Sequence, residues 1–269
     1  HQTFAEGMAS LKKAGHIADA VNGATTLAAI RLAQGRLREA KRTYEQALQL
    51  ATVQDTPVVR GAADMHVGMS EVYREQNNLP VAREHLLSSQ AMEEHTGFPQ
   101  NRYRWYATMA RLHEAEGDLA GALDLLDEAE RLYMSDFSPN VHPIAAMKAR
   151  VWIVQGRFGE VLDWLHEQRL SVADDLSYVR EFEHITLARL LLAQHQIDPT
   201  VHSLLPATGL LDRLLEAAET GRRMRSVIEI LVLQALAHQM RGDLPGALTQ
   251  LSRALMLAEP EGYVRLFVD

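Results

Sequence analysis

The stretch Gly35-Arg36-Leu37-Arg38-Glu39-Ala40, continued by Tyr44, Ala47, Leu48 and Ala51, decides the fold. Glycine tolerates the left-handed conformation that ends a helix. The residues after it place apolar side chains at spacings of four and three, which is one face of a new helix. The string then recurs. Asn77-Asn78-Leu79-Pro80-Val81-Ala82 leads into Leu86 and Ser89, and Gly117-Asp118-Leu119-Ala120-Gly121-Ala122 into Leu126 and Ala129. Gly156-Arg157-Phe158-Gly159-Glu160-Val161 leads into Leu165, and Gly242-Asp243-Leu244-Pro245-Gly246-Ala247 into Leu251, Ala254 and Leu255. The turns at 35, 77, 117 and 156 are 42, 40 and 39 residues apart. His195, another 39 along, takes the turn slot of a fifth copy. The longer step from there to 242 points to an inserted loop, residues 197–209, before a helix over 210–220.

Upstream of each turn lies the other helix of a pair. Seven residues before the turn stands a small residue: Ala28, Ser70, Ala110, Ala149, Ala188 and Ala235. Antiparallel helices approach most closely where a side chain is minimal. Ala40, Ala82, Ala122 and Ala247 supply the facing slot on the second helix. The expected fold is therefore all-α: a right-handed superhelix, or solenoid, of antiparallel hairpins forming one repeat domain over 1–269. Residues 4–14 read as one helix lacking its partner, and Pro260-Glu261-Gly262 stops the last helix before a further element. Both ends look cut, which implies a fragment of a longer chain.

Composition narrows the functional classes. The 269 residues carry 27 basic and 35 acidic side chains, a formal net charge of −8, which argues against direct nucleic-acid contact by this chain. No cysteine is present, which excludes disulfides, thiolate zinc sites and a cysteine nucleophile. No apolar run reaches the roughly 18–20 residues of a membrane span.

The turn-and-helix pattern resembles the tetratricopeptide repeat, with a longer period than the usual ~34 residues. One segment narrows the resemblance. Ser226–Ala237, Gly242-Asp243, and the run Ala258-Glu259-Pro260-Glu261-Gly262-Tyr263-Val264-Arg265-Leu266-Phe267-Val268-Asp269 look like the end of the helical-repeat region in MalT-type regulators. These are large bacterial ATP-dependent transcription factors of the LuxR family. The resemblance implies a cytoplasmic sensor module that takes an inducer or a regulatory protein and takes part in self-association. It implies ATP and DNA binding by other domains of the parent. This chain has no Gly-x-x-x-x-Gly-Lys-Ser/Thr loop, so no ATP or other cofactor is expected in it, and nothing in the sequence supports an enzyme on the solenoid.

Aligning the repeats on their turns gives a column of arginines. Arg111, Arg150 and Arg189 each lie six residues before a turn slot and 39 residues apart. In tetratricopeptide arrays that slot faces the concave groove. A column of guanidinium forks suits a carboxylate, a phosphate or a hydroxyl-rich ligand. Alternatively, each arginine pairs with a glutamate on a neighbouring helix and ties the stack together. Glu71 takes the same slot in the second repeat, with Arg74 and Glu75 one turn on, and reads either as a polar clamp or as a solvated face with local Glu/Arg pairs. Tyr103 and Tyr106 flank Trp105 near a helix start, as a ligand platform or as packing between hairpins. His66 and His184 share the slot of Tyr106 and line the groove or serve as hydrogen-bonded structural residues. No His-Glu-x-x-His or Gly-x-Ser-x-Gly motif occurs, so no metal or catalytic residue is assigned. A general scaffold binding a peptide or helix is the alternative function.

Overall fold

A computed structural model describes residues 6–7, 10, 16–52, 61–97, 99–135 and 140–269. Among them are twelve α-helices and no strand. Of the expected lone helix over 4–14, only Glu6, Gly7 and Ser10 are described, all helical. The rest of that segment lies outside the described residues.

The chain builds two compact units. Unit 1 spans His1–Met134 and takes in Glu261–Asp269, so the chain returns to it at the end. It holds α1 (Ile17–Ala33), α2 (Leu37–Thr52), α3 (Ala62–Glu75), α4 (Leu79–Thr96), α5 (Asn101–Glu116) and α6 (Leu119–Arg131). Consecutive helices pair as the hairpins α1/α2, α3/α4 and α5/α6, and α3 also packs on α1 and α5. Unit 2, Ser135–Pro260, holds α7 (Ile144–Val154), α8 (Phe158–Gln168), α9 (Glu181–Ile197), α10 (Leu205–Thr220), α11 (Met224–Met240) and α12 (Leu244–Ala258). Here α9 packs on α7 and α11. In both units the first helices of successive hairpins form one layer.

The turns have one physical cause. Gly35, Asn77, Gly117, Gly156 and Gly242 all take positive φ, between 58° and 87°. At Gly117 the N–H donates to the Glu114 carbonyl, and the next N–H, of Asp118, reaches back to His113. Together they satisfy carbonyls that the helix end leaves open. The other four turns repeat this pair of bonds. Asn77 does what glycine does elsewhere, as asparagine tolerates that region better than other side chains.

The small-residue rule holds in the packing. All six residues seven before the turn slots, and all four facing alanines, are buried, none more than 8% exposed.

Two details depart from the sequence reading. His195 is not at a turn: α9 runs on to Ile197, and the ring Nδ1 lies 2.5 Å from the His202 carbonyl. The next helix begins at Leu205, with Pro206 in its first turn, so the connection is 198–204 and residues 205–209 are helical. Proline lacks the N–H that a first turn leaves unbonded anyway, so it opens the helix instead of belonging to a loop.

Candidate functional site

In unit 1, packing of α3 on α5 brings Glu71, Arg74 and Arg111 together. Arg111 Nη2 donates to Glu75 Oε1 at 2.9 Å, and its Nη1 lies 3.7 Å from Glu71 Oε1. Thr108 Oγ1 also donates to Glu71, at 3.4 Å. Arg74 is buried, 3% exposed. Its Nε donates to the Arg111 carbonyl at 3.1 Å and its Nη1 to Glu75 at 3.3 Å. Its Nη2 donates to Asp269 Oδ2 at 2.5 Å. A charge at that depth requires partners on each face, and the three nitrogens meet three different groups.

His66 stands apart from that cluster. Its Nδ1 is 2.8 Å from Nδ1 of His85, and Tyr73 stacks on His85 with centroids 5.3 Å apart. Lys41 Nζ sits 4.5 Å from the Tyr73 ring centre. Burial, with His85 beside it, pushes His66 down to about 4. Burial and the Lys41 charge lower His85 as well. Both shifts favour neutral rings, one donating to the other.

The ring contacts of Tyr103 and Tyr106 are with their own neighbourhood. Tyr103 meets Tyr133 edge-on at 5.1 Å, and Tyr106 meets Trp105 edge-on at 5.1 Å. Trp105 packs against the cluster of Val67, Leu86 and Leu112, and its Nε1 donates to the Leu86 carbonyl at 2.8 Å.

In unit 2, Arg150 on α7 and Arg189 on α9 converge on Glu229 of α11. Arg150 Nη1 donates to Glu229 Oε1 at 2.8 Å, and Arg189 Nη2 donates to the same oxygen at 3.0 Å. Arg225, one turn before Glu229, lies 3.5 Å from Oε2. Thr186 accepts from Arg150 Nε at 3.0 Å, and the guanidinium sits 3.7 Å from the Phe182 ring centre. Burial raises the Glu229 carboxyl, but the three arginines together outweigh it and hold it well below the usual carboxylate range.

His184 is fully buried. Its Nδ1 is 2.9 Å from the Arg180 carbonyl, and its Nε2 is 3.4 Å from Asp174 Oδ2. Asp174 is lowered chiefly by the Ser171 N–H it accepts.

The arginine column therefore engages glutamates of other first helices, the adjacent one for Arg111 and Arg189 and the next but one, α11, for Arg150. Sequence reasoning named the arginines and, for Arg111, the acidic neighbours Glu71 and Glu75, but not Glu229, which occupies no shared slot relative to the turns. It also missed Glu181, which is buried and accepts from Arg223 Nε at 2.7 Å and Ser226 Oγ at 2.6 Å. Among the described residues no group of three or more His, Asp or Glu could hold a metal ion, and no helix is long and apolar enough to cross a membrane.

No curated protein matches the chain. The model of one family, the MalT-like TPR region, matches residues 1–269. The helix hairpins, their glycine turns and the packed small residues agree with that match, and the chain belongs to the MalT-like TPR region family.

Proposed function

We propose that this chain is the effector-sensing and oligomerisation module of a bacterial MalT-like, LuxR-family transcription regulator. In this reading it is non-catalytic and cytoplasmic, and ATP and DNA are bound by other parts of the parent protein. The observation that carries the reading is the engagement of Arg111, Arg150 and Arg189 with glutamates of other first helices. A small inducer bearing a carboxylate, a phosphate or several hydroxyls competes for the same donors. By replacing a glutamate it changes what ties one hairpin to the next. A ligand that binds one arrangement of hairpins better than another shifts the population between resting and active parent.

Calorimetry of the chain against a metabolite panel tests the proposal. Heat with at least one compound, lost in Arg150→Gln or Arg189→Gln, supports it. Silence across the panel, with peptides binding instead, overturns the small-inducer version.

A second reading, a tetratricopeptide-type scaffold for a peptide or helix, draws support from one observation. The chain's own segment Glu261–Asp269 is already seated on the Arg74 cluster of unit 1. Capture of a partner that is lost on replacing Arg111, Arg150 and Arg189 by Glu favours this reading.

A further inference from the structure

The segment Glu261–Asp269 meets unit 1 as a bound peptide meets its receptor. It touches α2, α3 and the turn after α3 at points spread along its length. Glu261 Oε2 accepts the Arg38 N–H at 2.9 Å. Val264 N–H donates to the Glu75 carbonyl at 2.9 Å. Arg265 Nη1 donates to Asn77 Oδ1 at 3.3 Å. Asp269 accepts from Nη2 of Arg74, whose other two nitrogens bond to α3 and α5. Between these polar points Tyr263 and Leu266 are buried. Gly262 turns the chain at φ 84°, and a Cβ there would stand 3.6 Å from Gln76. Backbone bonding for affinity, buried apolar side chains for fit and a carboxylate on arginine for register are the elements of peptide recognition.

We propose that the end of α3 and its turn, Arg74 to Asn77, form a segment-recognition site for a short peptide that buries two apolar side chains and carries a carboxylate side chain for Arg74. The resident ligand is Glu261–Asp269, and a partner segment of the same chemistry enters when that resident leaves. The cis segment competes at a high effective concentration, so the site is self-occupied in the resting chain. This deepens the scaffold reading, on which it rests, by naming the segment chemistry. Its test uses no inducer, so its failure leaves inducer binding untouched.

The probe is a fluorescein-labelled peptide, Glu-Gly-Tyr-Val-Arg-Leu-Phe-Val-Asp, amidated so that no terminal carboxylate replaces the Asp side chain. The receptor is the full chain carrying Leu266→Ser and Asp269→Asn, which loosen the resident segment. The expected result is saturable binding, at least tenfold weaker to the unaltered chain, and abolished by adding Arg74→Gln to the loosened one. No binding by a loosened chain whose helical circular dichroism is intact overturns the proposal. So does equal binding by both chains. Hydrogen exchange on the unaltered chain covers the case in which the loosened chain unfolds. The Val264 amide should exchange at least tenfold faster than the amides of Met65–Val72, because the segment opens by itself. Exchange of Val264 only together with α3 overturns the proposal.

Discussion

Arg150 and Arg189, on different helices, donate to one oxygen, Oε1 of Glu229, at 2.8 and 3.0 Å. Glu229 is 1% exposed and each arginine lies between 16% and 21%, so little water reaches the carboxylate to replace a lost partner. Coulomb attraction there has to offset the cost of removing all these groups from water.

Replacing Glu229 by Leu leaves the guanidiniums without their shared acceptor. The expected loss is about 3–5 kcal/mol, the usual cost of breaking a buried pair from one side. Urea unfolding in a Trp105→Phe background reads unit 2 alone, since Trp152 and Trp164 both lie there. Combining Glu229→Leu with Arg189→Leu should cost less than the sum of the two single changes, because the second removes a charge that the first left unpaired.

The same carboxylate gives acid sensitivity of known sign. Its folded pKa lies below the ordinary 4.5, so below that pH the unfolded chain binds more protons than the folded one. The stabilisation is full above about 4.5 and is lost as pH falls toward the depressed folded value. Tryptophan emission of unit 2 under mild urea should fall along that descent. Glu229→Gln should flatten the slope while lowering stability at neutral pH.

The histidine pair of unit 1 acts in a higher window. His66 falls from 6.5 to about 4 on folding. Between those values the unfolded chain takes up a proton that the folded pair resists, so stability drops as pH falls from 6.5 toward 4. The ring-proton shift of His66 in NMR should titrate near 4. His85→Asn removes the smaller of the two causes, the repulsion between two protonated rings, while keeping a polar neighbour, and should move the midpoint upward.

How much of this was legible follows from what each feature depends on. Turns and small-residue slots depend on local backbone and one close contact, and Gly117 with Ala110 carries both in a few residues of sequence. The arginine column was visible because arginines repeat at a fixed spacing. Glu229 was not, since it sits 13 residues before its turn slot at 242 while Arg150 and Arg189 sit six before the slots at 156 and 195. The pairing is a matter of how three helices pack. The site on Arg74 was least legible. Its ligand lies 195 residues away in sequence, and no local pattern encodes a contact of that span. The motif Glu261–Asp269 was legible as a resemblance, but not as something that docks on α3.

Two of the turns share a bracket that five letters of spacing hide. His113 Nδ1 lies 2.8 Å from Asp118 Oδ2 while Asp118 Oδ1 accepts the Gly121 N–H, and His238, Asp243 and Gly246 repeat it at 2.7 and 3.0 Å. The aspartate caps the second helix with one oxygen and holds the end of the first with the other. In both brackets a Cβ on the glycine would fall 2.2 Å from the carboxylate, so the glycine makes room for it. Asp118→Ala and Asp243→Ala should each lower the thermal midpoint, and Asn at either position should lower it less, since it still caps.

Gly68 offers the sharpest steric test. A Cβ there would stand 2.3 Å from Tyr44 Cζ and 2.4 Å from its hydroxyl oxygen. Tyr44 is buried, 3% exposed, so its ring has little room to retreat. The residue is glycine because α3 passes the Tyr44 ring of α2 at that point, whereas the glycines of the turns answer to backbone angle. Gly68→Ala should therefore destabilise unit 1 by about 1–3 kcal/mol, as overpacking of a filled core does, despite alanine's better helix propensity. Trimming the ring should relieve it. With Tyr44→Leu as background, Gly68→Ala should cost less than in the unaltered chain, read by urea unfolding on Trp105 emission with Trp152 and Trp164 replaced by Phe. An equal cost in both backgrounds would show that the helix backbone, and not the ring, sets the need for glycine.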